Sequence, residues 1–383
     1  MKDLEKLSVA VVGAGMGGLT VAATLGRLGV NVQVYEQAGQ FARIGAGIQM
    51  LPNSMTVLRG IGLEEKLRSF AFAPKSHLNR VWNTGEVIVE LPMPESRYDA
   101  PYLCMHRGDL HSALLSVVPE PSVHLGKKLT GIEQRNGGVT LAFSDGTTVV
   151  ADAVIGADGL HSVVREILLG PETPRFSGRV AYRAVFPARL MDGLDIGGSR
   201  TKWWGPDRHI VIYYTTADRS EVYFVTSVPE PAEWLTPESW SAKGDVTELR
   251  EAFAGFHAEV KAVLAACPDC HKWAILDRDP LPVWSEGRVV LLGDACHPMT
   301  PYMAQGAATA MEDAAVLARC FEAADDIESA FQLYEAHRKP RTSRIQAISS
   351  ANTWMSAPSP ENPDWLYGYN AWQAPLFEPA PAA

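Results

Sequence analysis

"SVAVVGAGMGGLTVAATLGRLGVNVQVYE", residues 8–36, decides the fold of this chain. It begins with an apolar run (8–13), turns at glycines, continues with small and apolar residues to about Leu28, and ends in the alternating segment NVQVYE (31–36). This order predicts a strand, a helix and a second strand. A βαβ unit places its strands parallel in one sheet, with a right-handed crossover. The sequence therefore predicts an α/β fold.

Four glycines lie in the turn after the first strand: Gly13, Gly15, Gly17 and Gly18. Their spacing fits G-x-G-x-x-G, in which glycine allows a tight turn and lets backbone amides approach a pyrophosphate at the helix N-terminus. Glu36 ends the second strand, where its carboxylate can accept a hydrogen bond from a ribose hydroxyl, and Gln37 follows it. We predict a dinucleotide site from these residues; the alternative is that the glycines serve only packing. Glu36 disfavours a 2′-phosphate but does not separate NAD from FAD.

The composition bounds the class of protein. The chain has 383 residues, of which 46% are apolar and 20% charged, as in ordinary soluble globular proteins. Its net charge of -10 argues against a nucleic-acid partner, although a local basic patch stays open. Residues 7–26 carry no charge and resemble a signal peptide or spanning helix, but the glycine turn explains them. We expect a cytoplasmic protein without membrane contact, as a monomer or homodimer.

Five cysteines are few for this length, and their odd number suits reduced thiols. The segment Cys267-Pro-Asp-Cys270-His271 formally matches the pattern of covalent haem attachment. It has no second C-x-x-C and no clear axial partner. We therefore expect two ordinary thiols at a helix end and no metal site.

Residues 175–280 have a different sequence pattern. RVAYRAVF (179–186), HIVIYYTT (209–216) and EVYFVTSV (221–228) alternate in period two and are rich in Val, Tyr and Phe. Such runs predict an antiparallel sheet with two distinct faces, in a second domain inserted into the first. Near the end we expect a helix over about 327–352, bent or broken near Pro340, and then an irregular tail rich in Pro and aromatic residues.

In two further segments an apolar run is followed by an aspartate. DAVIGADGLHSVVR (152–165) contains Asp158, and GRVVLLGDACHP (287–298) contains Asp294. With the glycine turn, these three motifs in this order resemble the flavoprotein aromatic hydroxylases, the class A monooxygenases of the para-hydroxybenzoate hydroxylase type. The resemblance covers essentially the whole chain. It implies tightly but non-covalently bound FAD, with Asp158 serving FAD and the nicotinamide cofactor and Asp294 meeting the ribityl chain.

The resemblance also implies how the domains divide. An FAD-binding, Rossmann-like domain of the glutathione-reductase type is expected over 1–74, 98–174 and 281–352. The mainly antiparallel substrate domain is expected over 75–97 and 175–280, and residues 353–383 form a tail on the surface. No second nucleotide-binding unit is visible in the sequence, so NADH or NADPH is expected as a transient co-substrate.

Further cofactor contacts follow from the same resemblance. It marks Arg43, in ARIGAGIQ, and Arg107, in HRGDLHSALL, as flavin contacts, and Leu129 as a neighbour of the adenine. The ordinary alternatives are surface arginines and a core leucine. The helix that follows Pro301 can point its first amides, at Gly306 and Ala307, towards the flavin and stabilise negative charge on the reduced ring.

Hydroxylation of an aromatic ring requires a ring hydroxyl to lose its proton, and hence a base. His209 and Tyr213 are four residues apart on a predicted strand and so face the same side of the sheet. An imidazole and a phenol on one wall suit proton relay; the alternative is a satisfied histidine among core aromatic residues. The family resemblance favours the catalytic interpretation.

The resemblance implies a monooxygenase that hydroxylates a hydroxylated aromatic or N-heteroaromatic acid through a flavin C4a-hydroperoxide. The first expectation is a hydroxypyridine carboxylate such as 6-hydroxynicotinate, converted with loss of the carboxylate to 2,5-dihydroxypyridine. The chain departs from the expected pattern at Gln49 and Tyr302, where histidines are expected. Arg200 could bind a carboxylate if it faces the pocket.

These departures keep other substrates open: 6-hydroxypicolinate, salicylate or a hydroxybenzoate, without loss of the carboxylate. Outside this class, the alternatives are a flavin oxidase or dehydrogenase and a flavin-binding protein without turnover. The latter two would use the same FAD motifs without hydroxylating a substrate.

Overall fold

The computed structural model describes residues 1, 3–43, 45–135, 137–231, 242–356 and 362–376. The strands are β1 Ser8–Val12, β2 Asn31–Tyr35, β3 Gly47–Met50, β4 Ser76–Val81, β5 Val87–Pro92, β6 Leu103–His106, β7 Val123–His124, β8 Leu129–Arg135, β9 Gly138–Phe143, β10 Thr148–Ala151, β11 Ala153–Gly156, β12 Arg175–Pro187, β13 Arg200–Trp204, β14 His209–Tyr214, β15 Glu221–Pro229, β16 Lys243–Gly244, β17 Cys270–Asp277, β18 Ser285–Glu286 and β19 Val289–Leu291.

The α-helices are α1 Met16–Arg27, α2 Pro52–Gly60, α3 Glu64–Arg68, α4 Glu95–Tyr98, α5 Arg107–Leu115, α6 Val163–Leu169, α7 Val246–Ala252, α8 Ala258–Ala266, α9 Gly306–Ala323, α10 Ile327–Ala351 and α11 Asp364–Tyr367. Short 3-10 helices occupy Leu4–Lys6, Ala188–Met191, Gly293–Ala295 and Pro301–Met303. In the described part of the chain, no helix combines the length and the apolar character that a membrane crossing needs.

The first sheet has the strand order β18-β19-β11-β1-β2-β7. All its neighbouring pairs are parallel except β18 with β19. The βαβ unit predicted over residues 8–36 is confirmed as β1, α1 and β2. Because β1, β11 and β19 run in the same direction, their carboxyl ends meet at one edge of this sheet. The three motifs follow these strand ends, and ligands of open parallel sheets bind at such an edge.

The second sheet, here the large sheet, has the order β16-β17-β12-β15-β14-β13-β4-β5. Its pairs are antiparallel apart from β13 with β4. The three alternating runs of the sequence become β12, β14 and β15, so the prediction of a mainly antiparallel sheet is confirmed. β4 and β5 join from a much earlier part of the chain. The architecture is therefore α/β, with a parallel and a mainly antiparallel sheet.

The two faces of the large sheet differ in character. Ile210 and Ile212 are buried in an apolar core that includes Leu249 of α7 and Val260 of α8. Trp203, which shares their face, stacks on His257 at the start of α8 with 5.0 Å between ring centroids. The residues that alternate with Trp203, Ile210 and Ile212 along the strands point to the opposite face and are largely polar. This alternation is the period-two pattern that the sequence predicted.

The helix expected over about 327–352 is α10, which continues through Pro340 without a break. The tail after it departs from the sequence prediction. The tail was expected to be irregular, but residues 364–367 form α11 and bury Leu366 and Tyr367 against the core of the large sheet. Apolar burial explains the difference, since these side chains are almost wholly removed from solvent. Residues 357–361 and 377–383 of the predicted tail lie outside the described residues.

Candidate active site

A first cavity, of about 210 Å³, lies at the carboxyl edge of the parallel sheet. The predicted cofactor residues that line it are Gly13, Gly15, Glu36, Gln37, Leu129 and Asp158. The Glu36 carboxylate accepts hydrogen bonds from the backbone amides of Ala14 and Ala38, both at 2.8 Å. These bonds fix the carboxylate beside the glycine turn, where a ribose would lie.

The glycines of the turn serve two different purposes. Gly13 has a φ of +100°, and a Cβ on Gly18 would lie 2.0 Å from the Gly13 carbonyl oxygen, so both are required by the backbone itself. Gly15 has an ordinary φ of −74°. A Cβ there would meet no protein atom within 4 Å. The turn thus leaves open space in front of Gly15, which fits the close approach of a pyrophosphate.

A second cavity, of about 310 Å³, adjoins the first. Gly15, Ala157 and Gly159 line both, so an elongated ligand can extend from one into the other. The predicted cofactor residues on its wall are Gly15, Gly17, Arg107, Asp294, Gly306 and Ala307. The large sheet closes the opposite side with Arg183, Tyr213, Tyr223 and Trp273. The second cavity therefore lies between the cofactor motifs and the large sheet.

Asp294 faces the second cavity and is accessible from it, although protein surrounds the carboxyl group. Burial raises its pKa, and the nearby His297 and Arg107 oppose this effect. The turn is held from behind by Asp313, which accepts hydrogen bonds from the Gly293 amide at 3.2 Å and pairs with His297 at 2.6 Å. His297 is thus a buried partner of Asp313.

The Asp313 side chain belongs to a buried ion-pair network. Arg338 of α10 donates to Asp313 at 2.7 Å and to Glu312 at 2.7 Å, and Arg341 donates to Glu312 at 2.8 Å. The carboxylates gain charge-assisted hydrogen bonds that offset the cost of their burial. The network ties α9 and α10 to the Gly293–Asp294 turn and so fixes one wall of the second cavity.

Helix α9 begins at Gly306, on the wall of the second cavity. The first amides of a helix have no partner within it, and the helix dipole places partial positive charge there. With 18 residues, α9 is long enough for this dipole to develop. The helix start can therefore stabilise negative charge in the cavity.

The Arg43 side chain lies outside both cavities. Its guanidinium pairs with Asp109 at 3.0 Å and with Glu221 at 3.2 Å, and its side chain is 49% exposed. It is not among the residues that line the cavities. Its two carboxylate partners hold it at the surface.

Strand register places a set of side chains on one face of the large sheet. Lys202 lies opposite Val211, Trp204 opposite His209, and Tyr213 opposite Tyr223. On the other side of β13, His77 pairs with Arg200 and Asn79 with Lys202. Opposed residues share a face. We call this set the polar face: His77, Asn79, Arg200, Lys202, Trp204, His209, Tyr213, Tyr223 and Ser227.

The two predicted catalytic residues both belong to the polar face, but only Tyr213 lines the second cavity. His209 does not line it; its ring lies edge-on to that of Tyr302, with 5.5 Å between centroids, and 5.1 Å from that of Trp204. Burial, followed by Lys202, Arg179 and Arg200, lowers the pKa of His209 well below its usual value. The imidazole is therefore neutral near pH 7.

A third, much smaller cavity of about 10 Å³ brings together the three predicted substrate-binding residues, Gln49, Arg200 and Tyr302. Gln49 also lines the second cavity, so it stands between the two. Its side-chain oxygen accepts a hydrogen bond from the Tyr102 hydroxyl at 2.6 Å. The Tyr302 hydroxyl lies 3.1 Å from that of Ser227.

Several residues of the site were not predicted. Arg183 lies over the Trp273 ring at 4.5 Å, and burial lowers its pKa to about 10. Tyr223 lines the second cavity, and Lys202 and His77 line the third. An arginine within the apolar run RVAYRAVF was the available signal for Arg183. For Lys202 it was the two-residue spacing from Arg200, which puts both on one face.

Comparison with known proteins identifies the family. The family model described as "FAD binding domain" matches residues 6–349. The chain is 46% identical over 383 residues to 6-hydroxynicotinate 3-monooxygenase of Bordetella bronchiseptica, covering 99% of each. It is 47% identical over 377 residues to the enzyme of the same name from Pseudomonas fluorescens, covering 97% of each.

Solved structures agree with this assignment. Klebsiella pneumoniae HpxO, complexed with FAD and uric acid, has a TM-score of 0.81 and 28% identity, with 91% of this chain and 88% of that chain covered. A salicylate hydroxylase substrate complex has a TM-score of 0.81 at 24% identity, with coverage of 95% and 96%, and shows the shared fold. The chain therefore belongs to the FAD-binding-domain family of flavoprotein hydroxylases and is an FAD-dependent monooxygenase.

Proposed function

We propose that this monooxygenase uses NADH or NADPH and O2 to hydroxylate a hydroxypyridine carboxylate. The first candidate is 6-hydroxynicotinate, converted with loss of its carboxylate to 2,5-dihydroxypyridine. The observation that carries the proposal is the second cavity, which has cofactor motifs on one wall and the buried Tyr213 and Tyr223 on the other. The two relatives named 6-hydroxynicotinate 3-monooxygenase support the choice of substrate.

The residues of the two larger cavities fit FAD. Glu36 and the open space at Gly15 suit the ribose and pyrophosphate, and Asp294 suits the ribityl chain. The start of α9 suits the edge of the ring system that carries negative charge when the flavin is reduced. Bound FAD supplies the electron transfer and oxygen activation that hydroxylation requires. We propose that the FAD-binding domain comprises 1–74, 98–174 and 281–352, and the substrate domain 75–97 and 175–280.

The polar face supports the proton chemistry of the proposal. Tyr213 keeps its proton, because burial raises its pKa well above the usual value. Its hydroxyl can therefore donate a hydrogen bond to an oxygen of the substrate. We assign the proton that the ring hydroxyl releases to His209, which is neutral and lies edge-on to the Tyr302 ring. Loss of that proton makes the ring electron-rich and prepares it for hydroxylation.

Exclusion of water is the second contribution of the chain. Tyr213 and Tyr223 are at most 5% exposed, and their rings lie 5.1 Å apart. A dry aromatic wall protects reactive species from side reactions with water. We therefore expect little NADH oxidation in the absence of substrate.

The test is a panel of ring acids added to the purified flavoprotein with NADH or NADPH. 6-Hydroxynicotinate, 6-hydroxypicolinate, salicylate and 4-hydroxybenzoate are compared for stimulated NADH oxidation, O2 uptake and product mass. We expect at least about tenfold stimulation by one hydroxypyridine acid, with one oxygen atom gained per NADH. Stimulation without an oxygenated product would favour an oxidase or dehydrogenase. No stimulation by any acid would contradict the proposal.

A further inference from the structure

Two cations of the polar face lie side by side in the protein interior. Arg200 and Lys202 are alternate residues of β13, and they are 6% and 2% exposed. Arg200 donates one hydrogen bond, from Nη1 to Asn79 at 3.3 Å, while its Nε has no partner. The Lys202 ammonium lies 3.6 Å from the centroid of the Trp204 ring. Among the described residues, neither cation has a carboxylate within ion-pair distance.

This arrangement is costly for the protein alone. A buried charge normally has a counter-charge and a full set of hydrogen bonds. Here burial, and then repulsion from Arg200 and Arg179, lowers the pKa of Lys202 well below its usual value. The Trp204 ring offers only partial compensation through its face. Negative charge is what the pair lacks.

The space beside the pair is suited to a small group. Arg200 and Lys202 line the third cavity with His77, whose Nε2 also has no hydrogen-bond partner. Its volume of about 10 Å³ accommodates roughly one water-sized group and not an aromatic ring. Gln49 and Ala304 line both this cavity and the second one. A substituent on a ring in the second cavity could therefore reach the cations past Gln49.

We propose that Arg200 and Lys202 form the subsite for the substrate's carboxylate, with the ring held in the second cavity. This inference rests on the proposed function and adds the determinant of substrate charge. The guanidinium offers a planar pair of donors, and Lys202, held protonated by the bound carboxylate, adds a point charge. Lys202 is a substrate-binding residue that the sequence did not single out. The enzyme should then select ring acids over their uncharged analogues.

The test measures ligand binding to the FAD-loaded enzyme without NADH, from the change in flavin absorbance. Each of three acids, 6-hydroxynicotinate, 6-hydroxypicolinate and 4-hydroxybenzoate, is compared with its own carboxamide. We expect at least one acid to bind at least tenfold more tightly than its amide. In Lys202→Met and Arg200→Met, the Kd of that acid should rise about 30-fold, while that of the amide changes less than about threefold. Arg175→Met, which removes an exposed cation of β12, should change neither.

A stability measurement separates binding from a structural role. Because Lys202 is buried without a counter-charge, Lys202→Met should keep or raise the melting temperature of the protein without ligand. An equal loss of acid and amide binding would overturn the proposal, as would acids that bind no better than amides. The proposal would also be overturned if Lys202→Met had a lowered melting temperature and an unchanged preference for the acid over its amide. Since these readouts need no turnover, failure of the hydroxylase assay alone would count against the proposed function and leave the subsite intact.

Discussion

The imidazole of His209 lies edge-on to the phenol ring of Tyr302, with 5.5 Å between ring centroids, and does not line the second cavity. Tyr213, four residues along the same strand, does. The two residues share a face as the sequence predicted, but only Tyr213 lines the second cavity. Tyr213 can touch a ring in the second cavity, whereas His209 is placed to act with Tyr302.

Replacement of His209 by Ala should impair hydroxylation and leave FAD bound. It removes the neutral proton acceptor of the polar face, and such groups contribute about 100-fold or more to rate. We expect substrate-stimulated NADH oxidation to fall by about that factor at pH 7, with part of the loss recovered at higher pH, where the substrate ionises by itself. Flavin content is measured in parallel. Unchanged turnover with the true substrate would refute this role.

The glycine turn allows a paired prediction. Gly15→Ala should leave the stability of the FAD-free protein unchanged, because Gly15 has an ordinary φ and a Cβ there meets no protein atom within 4 Å. It should still weaken FAD binding at least tenfold, since the methyl group enters the space in front of the turn. Gly18→Ala should instead destabilise the fold by about 2 kcal/mol, because its Cβ would overlap the Gly13 carbonyl oxygen.

Chemical denaturation of the FAD-free variants and titration with FAD check both halves. The two alanines are matched, since each adds one methyl group to the same turn. Normal FAD affinity in Gly15→Ala would mean that the pyrophosphate does not approach this residue.

Asp294→Ala should weaken FAD binding by about 10- to 100-fold, the range expected for loss of a hydrogen bond to a charged group. The carboxyl group faces the second cavity, and Asp313 fixes its turn from behind, so the backbone should keep its shape. Asp294→Asn, which retains an acceptor oxygen, should show a smaller loss. Flavin content after purification and equilibrium titration measure the effect. Full FAD content in the alanine variant would contradict it.

Local patterns predicted the parallel sheet and the FAD motifs well. The glycine turn, Asp158 and Asp294 all follow strands, and parallel strands bring their carboxyl ends together whatever the loops between them do. The orientation of Arg43 was beyond such reasoning, because its guanidinium pairs with Asp109 and Glu221, which are distant in sequence.

The substrate wall was harder to predict, because it depends on pairing between distant strands. His209 and Tyr213 could be placed on one face from their spacing alone. That His77 and Asn79 of β4 share this face follows from a parallel pairing across more than a hundred residues. The role of Lys202 likewise follows only from its place in the third cavity and from the absence of a carboxylate partner for it among the described residues. No local pattern carries that information.

The last prediction concerns acid stability. Burial, and then Arg338, Arg319 and Arg341, lowers the pKa of His337 to about 4, whereas an unfolded histidine titrates near 6.5. Below pH 6.5 the unfolded chain takes up a proton that the folded protein refuses, so this contribution to stability is complete above pH 6.5 and is lost as the pH falls towards 4. His209 and His77, whose pKa values are also lowered by burial, act in the same direction. His337→Gln can keep a hydrogen bond to Tyr369 but does not titrate. Melting temperatures from pH 8 to 5 should therefore fall less steeply in this variant. The corresponding difference in the free energy of unfolding is on the order of 1 kcal/mol after screening. Parallel curves for the two proteins would show that His337 does not contribute.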